Sequence, residues 1–126
     1  MSAPNPSTPR LRVQLGHAIA MGPGKAQLLE AIAGSGSISA AARQLGMSYR
    51  RAWLLVDTMN QCFKAPLVTT ATGGKGGGGA QVTALGEEVL ERYRRMQRIA
   101  SEAVAEEMEA FAALIAEPPA TPERPR

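Results

Sequence analysis

The feature of this sequence that most restricts its fold is a short helical segment that ends at a glycine just before a second helix begins. Residues 40–45 are rich in alanine and favour a helix, and Ser39 is suited to cap its N-terminus. Gly46 offers the permissive backbone at which helices commonly stop. Ser48 is suited to cap the next helix, which we expect over residues 49–63. The sequence therefore predicts two helices joined by a tight turn.

Two strands and one further helix are predicted before this pair. Leu11, Val13 and Leu15 alternate with polar residues, which is the period of a half-buried strand, and residues 18–21 follow as a second short strand. Residues 22–24 break the chain, and a helix then ends at residues 34–36. The residues expected to face the core from this helix and from the one over 49–63 are Leu28, Leu29, Ile32, Ala52, Trp53, Val56, Met59 and Phe63.

A hairpin with a glycine-rich connection is predicted after Pro66. Residues 67–71 and 80–83 are its expected strands, and six of the eight residues at 72–79 are glycine. Glycine leaves the backbone able to approach another surface closely, and Lys75 adds a positive charge near the tip. A Walker-type phosphate loop is not expected, because Thr69 stands where its first glycine belongs and Gly76 follows the lysine.

The last predicted helix has an apolar stripe that is too long for one small domain to cover. Thr83 is suited to cap it, and a continuous helix over residues 84–116 would be about 50 Å long. The uncovered part requires a partner helix, and the simplest partner is a second copy of the chain. The residues predicted to form this homodimer interface are Leu85, Val89, Tyr93, Met96, Ala100, Val104, Met108 and Phe111.

The order strand, helix, short helix, tight turn, helix, hairpin and long helix is that of a winged helix-turn-helix. The predicted fold class is mainly α with a small β-hairpin: a winged helix-turn-helix plus a long C-terminal dimerisation helix. We place the winged helix-turn-helix DNA-binding domain at residues 10–83 and the dimerisation helix at 84–117. Residues 1–9 and 118–126 are rich in Pro, Ser, Thr and Ala, and we expect both to be disordered tails.

In such a fold, the helix after the tight turn enters the major groove of DNA with its N-terminal residues. Arg50 and Arg51 lie in that first turn, and arginine can bind guanine O6 and N7 through two parallel hydrogen bonds. The alternatives are that the arginines only solvate an exposed turn and that the glycine-rich loop binds nothing. The residues predicted to contact bases or phosphates are Ser37, Ser39, Ser48, Tyr49, Arg50, Arg51, Thr72, Gly74, Lys75 and Gly76.

The distribution of charge agrees with a nucleic-acid partner. Residues 1–83 contain eight basic side chains against two acidic ones, a net charge of +6. Residues 84–117 contain four basic side chains against eight acidic ones, a net charge of −4. A basic front attracts a polyanion such as double-stranded DNA, although many proteins are as asymmetric as this.

Enzymatic, metal-binding and membrane functions find little support. His17 is the only histidine, and no convincing pairing of it with a serine or with Cys62, the only cysteine, can be built. The methionines fit core positions better than metal ligands, so we expect no enzyme activity, no metal and no cofactor. The single cysteine and the absence of an apolar run or secretory signal lead us to expect a cytoplasmic protein without membrane contact.

Residues 28–93 resemble the N-terminal DNA-binding domain of the molybdate-responsive regulator family ModE. The similarity rests on residues 36–42 (Gly-Ser-Ile-Ser-Ala-Ala-Ala), 47–53 (Met-Ser-Tyr-Arg-Arg-Ala-Trp), 59–60 (Met-Asn) and the glycine-rich run at 71–80. The serine–alanine turn is shared with the wider LysR group, whereas the second motif combined with the glycine-rich run is highly specific. The resemblance implies a homodimer that places the third helix and the wing, including Lys75, on DNA.

Full-length members of that family continue into β-barrel domains that bind molybdate, and we expect this chain to lack them. Molybdate binding by the chain itself is therefore not expected. The main hypothesis is a sequence-specific, homodimeric transcriptional regulator related to those that control molybdate transport or molybdoenzyme genes. The alternative is an interaction partner or antagonist of a full-length molybdate-binding regulator, paired through the C-terminal helix. A third hypothesis is that the short chain senses molybdate itself.

Overall fold

A computed structural model describes residues 9–16, 18–71 and 79–116 of the chain. In the described part, two antiparallel β-hairpins and five helices follow one another, and the expectation of a mainly helical chain with a small hairpin is confirmed. The elements are β1 (Val13–Leu15), β2 (Ala18–Met21), α1 (Pro23–Ser35), α2 (Ile38–Leu45), α3 (Tyr49–Cys62), β3 (Val68–Ala71), β4 (Gly79–Val82), α4 (Ala84–Ala103) and α5 (Ala105–Ala112).

Local capping explains where α2 begins and ends and where α3 begins. The Ser48 side chain accepts a hydrogen bond from the Arg51 N–H at 3.1 Å, so the predicted cap of α3 is confirmed. Gly46 ends α2 with a left-handed backbone at φ 68°, as expected. The predicted cap of α2 was wrong by two residues. Ser37 occupies that position and accepts from the Ala40 N–H at 3.0 Å, whereas Ser39 lies inside the helix.

The core is built from the facing sides of α1, α2 and α3. Of the predicted core residues, Trp53 and Phe63 are only half-buried and pack at its margin. The aliphatic and small members of the prediction are buried as expected, and alanines of α2 allow the short helix to lie close to its neighbours. The buried residues of the three helices are Ala26, Leu28, Leu29, Ile32, Ile38, Ala41, Ala42, Ala52, Val56 and Met59.

The first hairpin departs from the expected alternation. Leu15 was predicted to face the core with Leu11 and Val13, but its side chain is 71 % exposed. The register skips Ala20 of β2 between the pairs Val13–Met21 and Gln14–Ile19, so the irregularity lies in β2 and leaves Leu15 on the same face of β1 as Val13. Leu15 also adjoins the turn at Gly16, where the backbone is left-handed at φ 63°. The prediction for Leu15 was therefore wrong.

The second hairpin is held to the helices by hydrogen bonds at both strands. The Asn60 side chain accepts from the backbone N–H groups of Leu67 and Val68, at 2.8 and 3.1 Å, and donates to the Val68 carbonyl at 3.0 Å. On the other strand, the Ala80 N–H donates to the Gly36 carbonyl at 2.9 Å. These contacts fix the base of the hairpin relative to α1 and α3.

The C-terminal segment is not one continuous helix. Val104, at φ −105° and ψ 10°, separates α4 from α5, so the expectation of an unbroken helix over 84–116 was wrong. Thr83 caps α4 as predicted, accepting from the Gly86 N–H at 3.0 Å. In the part of the chain that is described, no helix has the length and apolar character needed to cross a membrane.

Candidate nucleic-acid interface

The first turn of α3 presents three large side chains to solvent. Because Ser48 satisfies the helix N-terminus and Ala52 faces the core, Tyr49, Arg50 and Arg51 project outward, and all three are exposed. The structure therefore places the predicted residues of this turn together on one exposed end of the helix. Their contact with DNA remains a prediction.

The two arginines of this turn carry charges that no residue in the described part of the chain neutralises. Among the described residues, neither guanidinium forms an ion pair, whereas Arg92 and Arg94 bind Glu88 and Glu30 at 3.0 and 2.7 Å. Each guanidinium carries five N–H donors in a planar fork that matches a guanine edge or a phosphate. An exposed pair of such groups is suited to an anionic partner with hydrogen-bond acceptors.

Tyr49 is held by the helix beneath it. Its ring meets that of Trp53 edge to face, with centroids 6.3 Å apart and an angle of 78° between the planes. Trp53 is half-buried against the core, whereas Tyr49 is 53 % exposed. This contact restricts the orientation of the tyrosine and leaves part of the side chain accessible beside the arginines.

The N-terminus of α2 presents two serines with different surroundings. Ser37 is half-buried, and its hydroxyl caps the helix and lies 3.2 Å from the hydroxyl of Ser39. Ser39 is exposed. The positive end of the helix dipole adds to the ability of such a turn to face a phosphate, so both predicted residues occupy a suitable location.

The residues predicted for the wing are only partly described. β3 and β4 pair in register from Val68 with Val82 to Ala71 with Gly79, so the stem of the predicted hairpin is confirmed. The four wing residues of the prediction, Thr72, Gly74, Lys75 and Gly76, lie outside the described residues.

One exposed residue of α3, Leu54, is absent from the residues predicted from the sequence. Leu54 is 58 % exposed, although it is a large apolar residue in the middle of the helix that follows the tight turn. A signal for it was available, because Leu54 lies two positions after the buried Ala52 and therefore on the opposite side of the helix.

The predicted dimerisation stripe divides into a covered part and an uncovered part. Tyr93 is buried in the core of its own chain, and Leu85 and Val89 pack against that core, so assigning Tyr93 to a dimer surface was wrong. A mostly apolar groove of about 580 Å³ lies further along, between residues 9–11 and helices α4 and α5. The remaining predicted residues are exposed or half-buried. Met96 is exposed outside the groove. The four that line the groove are Ala100, Val104, Met108 and Phe111.

Comparison with known families and structures identifies the same helix-turn-helix. The family described as bacterial regulatory helix-turn-helix protein, lysR family, matches residues 24–87, which span α1 to the start of α4. The chain also resembles the DNA-binding domain in the solved CbnR_DBD–DNA complex, with a TM-score of 0.53 and 22 % identity over 70 % of this chain and 95 % of that one. At this identity the structural likeness shows the fold alone.

Several curated relatives match part of the chain. The molybdenum-pterin-binding protein MopB of Rhodobacter capsulatus is 52 % identical over 73 residues, which are 58 % of this chain and 27 % of MopB. The DNA-binding transcriptional dual regulator ModE of Escherichia coli strain K12 is 44 % identical over 81 residues, 64 % of this chain and 31 % of that protein. The chain therefore spans less than a third of the length of these relatives.

Proposed function

The chain belongs to the lysR family of bacterial regulatory helix-turn-helix proteins, and we propose that it binds operator DNA as a homodimer through the first turn of α3. The observation that carries this proposal is the exposed couple Arg50 and Arg51 at the start of the second helix of the helix-turn-helix, which form no ion pair with the residues that the structure describes. In this fold the N-terminal residues of that helix reach base edges in the major groove. The two guanidinium groups supply the base readout.

Phosphate contacts around the recognition helix position it in the groove. Ser48 and Tyr49 border the arginines, and Ser39 stands exposed at the N-terminus of α2. The sequence prediction adds phosphate contacts from Lys75 and its neighbouring glycines, which lie outside the described residues. These contacts contribute affinity that depends on salt but not on sequence, because phosphates are the same at every base pair.

Binding-site selection tests the role of the arginines. Duplexes selected from a random library by the full chain give a preferred sequence, and fluorescence anisotropy then gives Kd at fixed salt. The Arg50→Ala/Arg51→Ala variant is expected to lose about a hundredfold or more in affinity and to lose its preference for the selected sequence. The matched control is Arg95→Ala/Arg98→Ala, which removes the same charge from exposed positions of α4. Undiminished selective binding by the first variant, or equal losses in both, contradicts the proposal.

Homodimerisation rests on the apolar groove along α4 and α5. Phe111 is 60 % exposed there, and a second copy of the segment would cover it and place two α3 helices on two half-sites. Light scattering is expected to give a dimer for the native chain and a monomer for Phe111→Ser. The control Leu15→Ser changes an exposed leucine of β1 and is expected to remain a dimer. A native chain that is monomeric and that dimerises only with a ModE relative supports the alternative, an interaction partner or antagonist of that regulator.

The relatives support a proposal for the target genes. We propose that the chain regulates molybdate transport or molybdoenzyme genes, since its relatives include a transcriptional regulator and a molybdenum-pterin-binding protein. Genome-wide mapping of bound DNA, with and without molybdate in the medium, tests this assignment. Calorimetric titration with molybdate separates direct sensing from indirect sensing, and heat of binding to the isolated chain contradicts the expectation that it binds none.

A further inference from the structure

Leu54 occupies the centre of the solvent-facing side of α3. It lies four residues after Arg50, so the two side chains neighbour each other on one helix face. Helical geometry puts that face opposite the buried Ala52, Val56 and Met59. Scattered exposed leucines are common on protein surfaces. The position of this one is distinctive, because it follows the two exposed arginines along the helix that enters the major groove in the proposed function.

The polar groups beyond Leu54 on the same face are already engaged within the helix. The Thr58 hydroxyl donates to the Leu54 carbonyl at 2.8 Å. The Gln61 side-chain amide donates to the Asp57 carboxylate at 3.0 Å. On the outward face, the first two turns of α3 therefore present hydrogen-bond donors at Arg50 and an apolar side chain at Leu54. The polar side chains of the later turns are hydrogen-bonded within the helix.

The major groove presents one apolar group that such a surface can recognise, the C5 methyl of thymine. We propose that Leu54 is a specificity-determining residue that contacts a thymine methyl in each half-site. The proposal rests on the proposed function, in which α3 enters the major groove. One helical turn advances about 5.4 Å and one base pair about 3.4 Å, so this thymine lies within about two base pairs of the base bound by Arg50.

Replacing thymine by uracil tests the contact, because uracil differs from thymine only in lacking the methyl group. The probe is the duplex selected by the full native chain, with each thymine replaced in turn by uracil, and Kd is measured by anisotropy. Burial of one methyl-sized group corresponds to about a fourfold change in affinity. We expect one thymine per half-site at which uracil weakens the native chain by about that factor, and Leu54→Ala to bind both duplexes equally.

Two control variants separate this contact from a general loss of binding. Leu54→Met keeps an apolar side chain of similar size and is expected to retain the thymine preference. Leu15→Ala removes an exposed leucine from β1 and is expected to retain it as well. If no uracil substitution weakens the native chain, or if Leu54→Ala keeps the full preference, the inference is wrong while DNA binding stands. If the chain enriches no sequence from the random library, the proposed function itself fails.

Discussion

The hydroxyl of Tyr93 donates a hydrogen bond of 2.6 Å to the carbonyl oxygen of Leu11, which lies 82 residues earlier in the chain. The next residue, Arg94, forms an ion pair of 2.7 Å with Glu30 of α1. The two contacts tie the middle of α4 to the N-terminal segment and to α1. This part of α4 therefore belongs to the body of the winged helix, and the surface left for a partner begins beyond it.

Removing the Tyr93 hydroxyl should destabilise the protein. Tyr93→Phe keeps the buried ring but leaves the Leu11 carbonyl without this donor, and we expect the free energy of unfolding to fall by about 1–2 kcal/mol. Urea denaturation followed by circular dichroism measures the change. Tyr49→Phe alters an exposed tyrosine and should stay within about 0.5 kcal/mol of the native chain. Equal effects of the two substitutions would show that the Tyr93 hydrogen bond contributes nothing.

The same tyrosine should make the fold sensitive to alkali. Burial raises the pKa of Tyr93, and the nearby positive charges of Arg94 and Arg12 oppose that rise only in part. The folded state therefore holds the proton more tightly than the unfolded chain, whose tyrosine pKa is about 10. This contribution to stability is complete below about pH 10 and is lost as the pH rises through the folded pKa. Melting temperatures measured from pH 8 to 11 should fall more steeply for the native chain than for Tyr93→Phe.

Gly86 should not tolerate a side chain. A Cβ at this position in α4 would overlap the Leu67 carbonyl oxygen, which is backbone, and would lie 2.7 Å from Cγ1 of Val82. We expect Gly86→Ala to lower the free energy of unfolding by about 1–3 kcal/mol, because α4 would have to move away from the hairpin. Gly34→Ala is the matched control, since a Cβ there meets nothing within 4 Å and alanine favours the helix. A loss of stability in Gly34→Ala as large as in Gly86→Ala would contradict the steric explanation.

The two serines at the start of α2 should differ in their contribution to stability. Ser37→Ala removes the hydroxyl that accepts the Ala40 N–H, and we expect a loss of about 1 kcal/mol in the free energy of unfolding. Ser39 lies two residues later and is exposed, so Ser39→Ala should change stability by less than about 0.5 kcal/mol. Thermal or urea unfolding distinguishes them. The reverse order would restore Ser39 as the cap.

Much of the local structure could be predicted because it depends on neighbours in the sequence. Ser48 and Thr83 cap their helices through N–H groups three residues ahead, and Gly46 ends α2 because of its own backbone freedom. The position of Arg50 and Arg51 in the first turn of α3 was predicted by the same local reasoning, because the Ser48 cap sets where the helix begins. Ser37 and Ser39 show its limit, since both are good caps and the choice of one depends on how the turn after α1 closes.

The tertiary structure decided which apolar residues are covered. Periodicity placed Leu15 in a strand and Tyr93 on a helix face. Leu15 is exposed beside the turn of its hairpin, whereas Tyr93 is buried and donates a hydrogen bond to a residue 82 positions earlier. The spacing of Leu54 from Ala52 indicates an outward position, but the packing of α3 decided that this large apolar side chain stays exposed. Capping and turn chemistry act over three or four residues and can be predicted from sequence, whereas burial is a property of the surfaces that distant segments bring together.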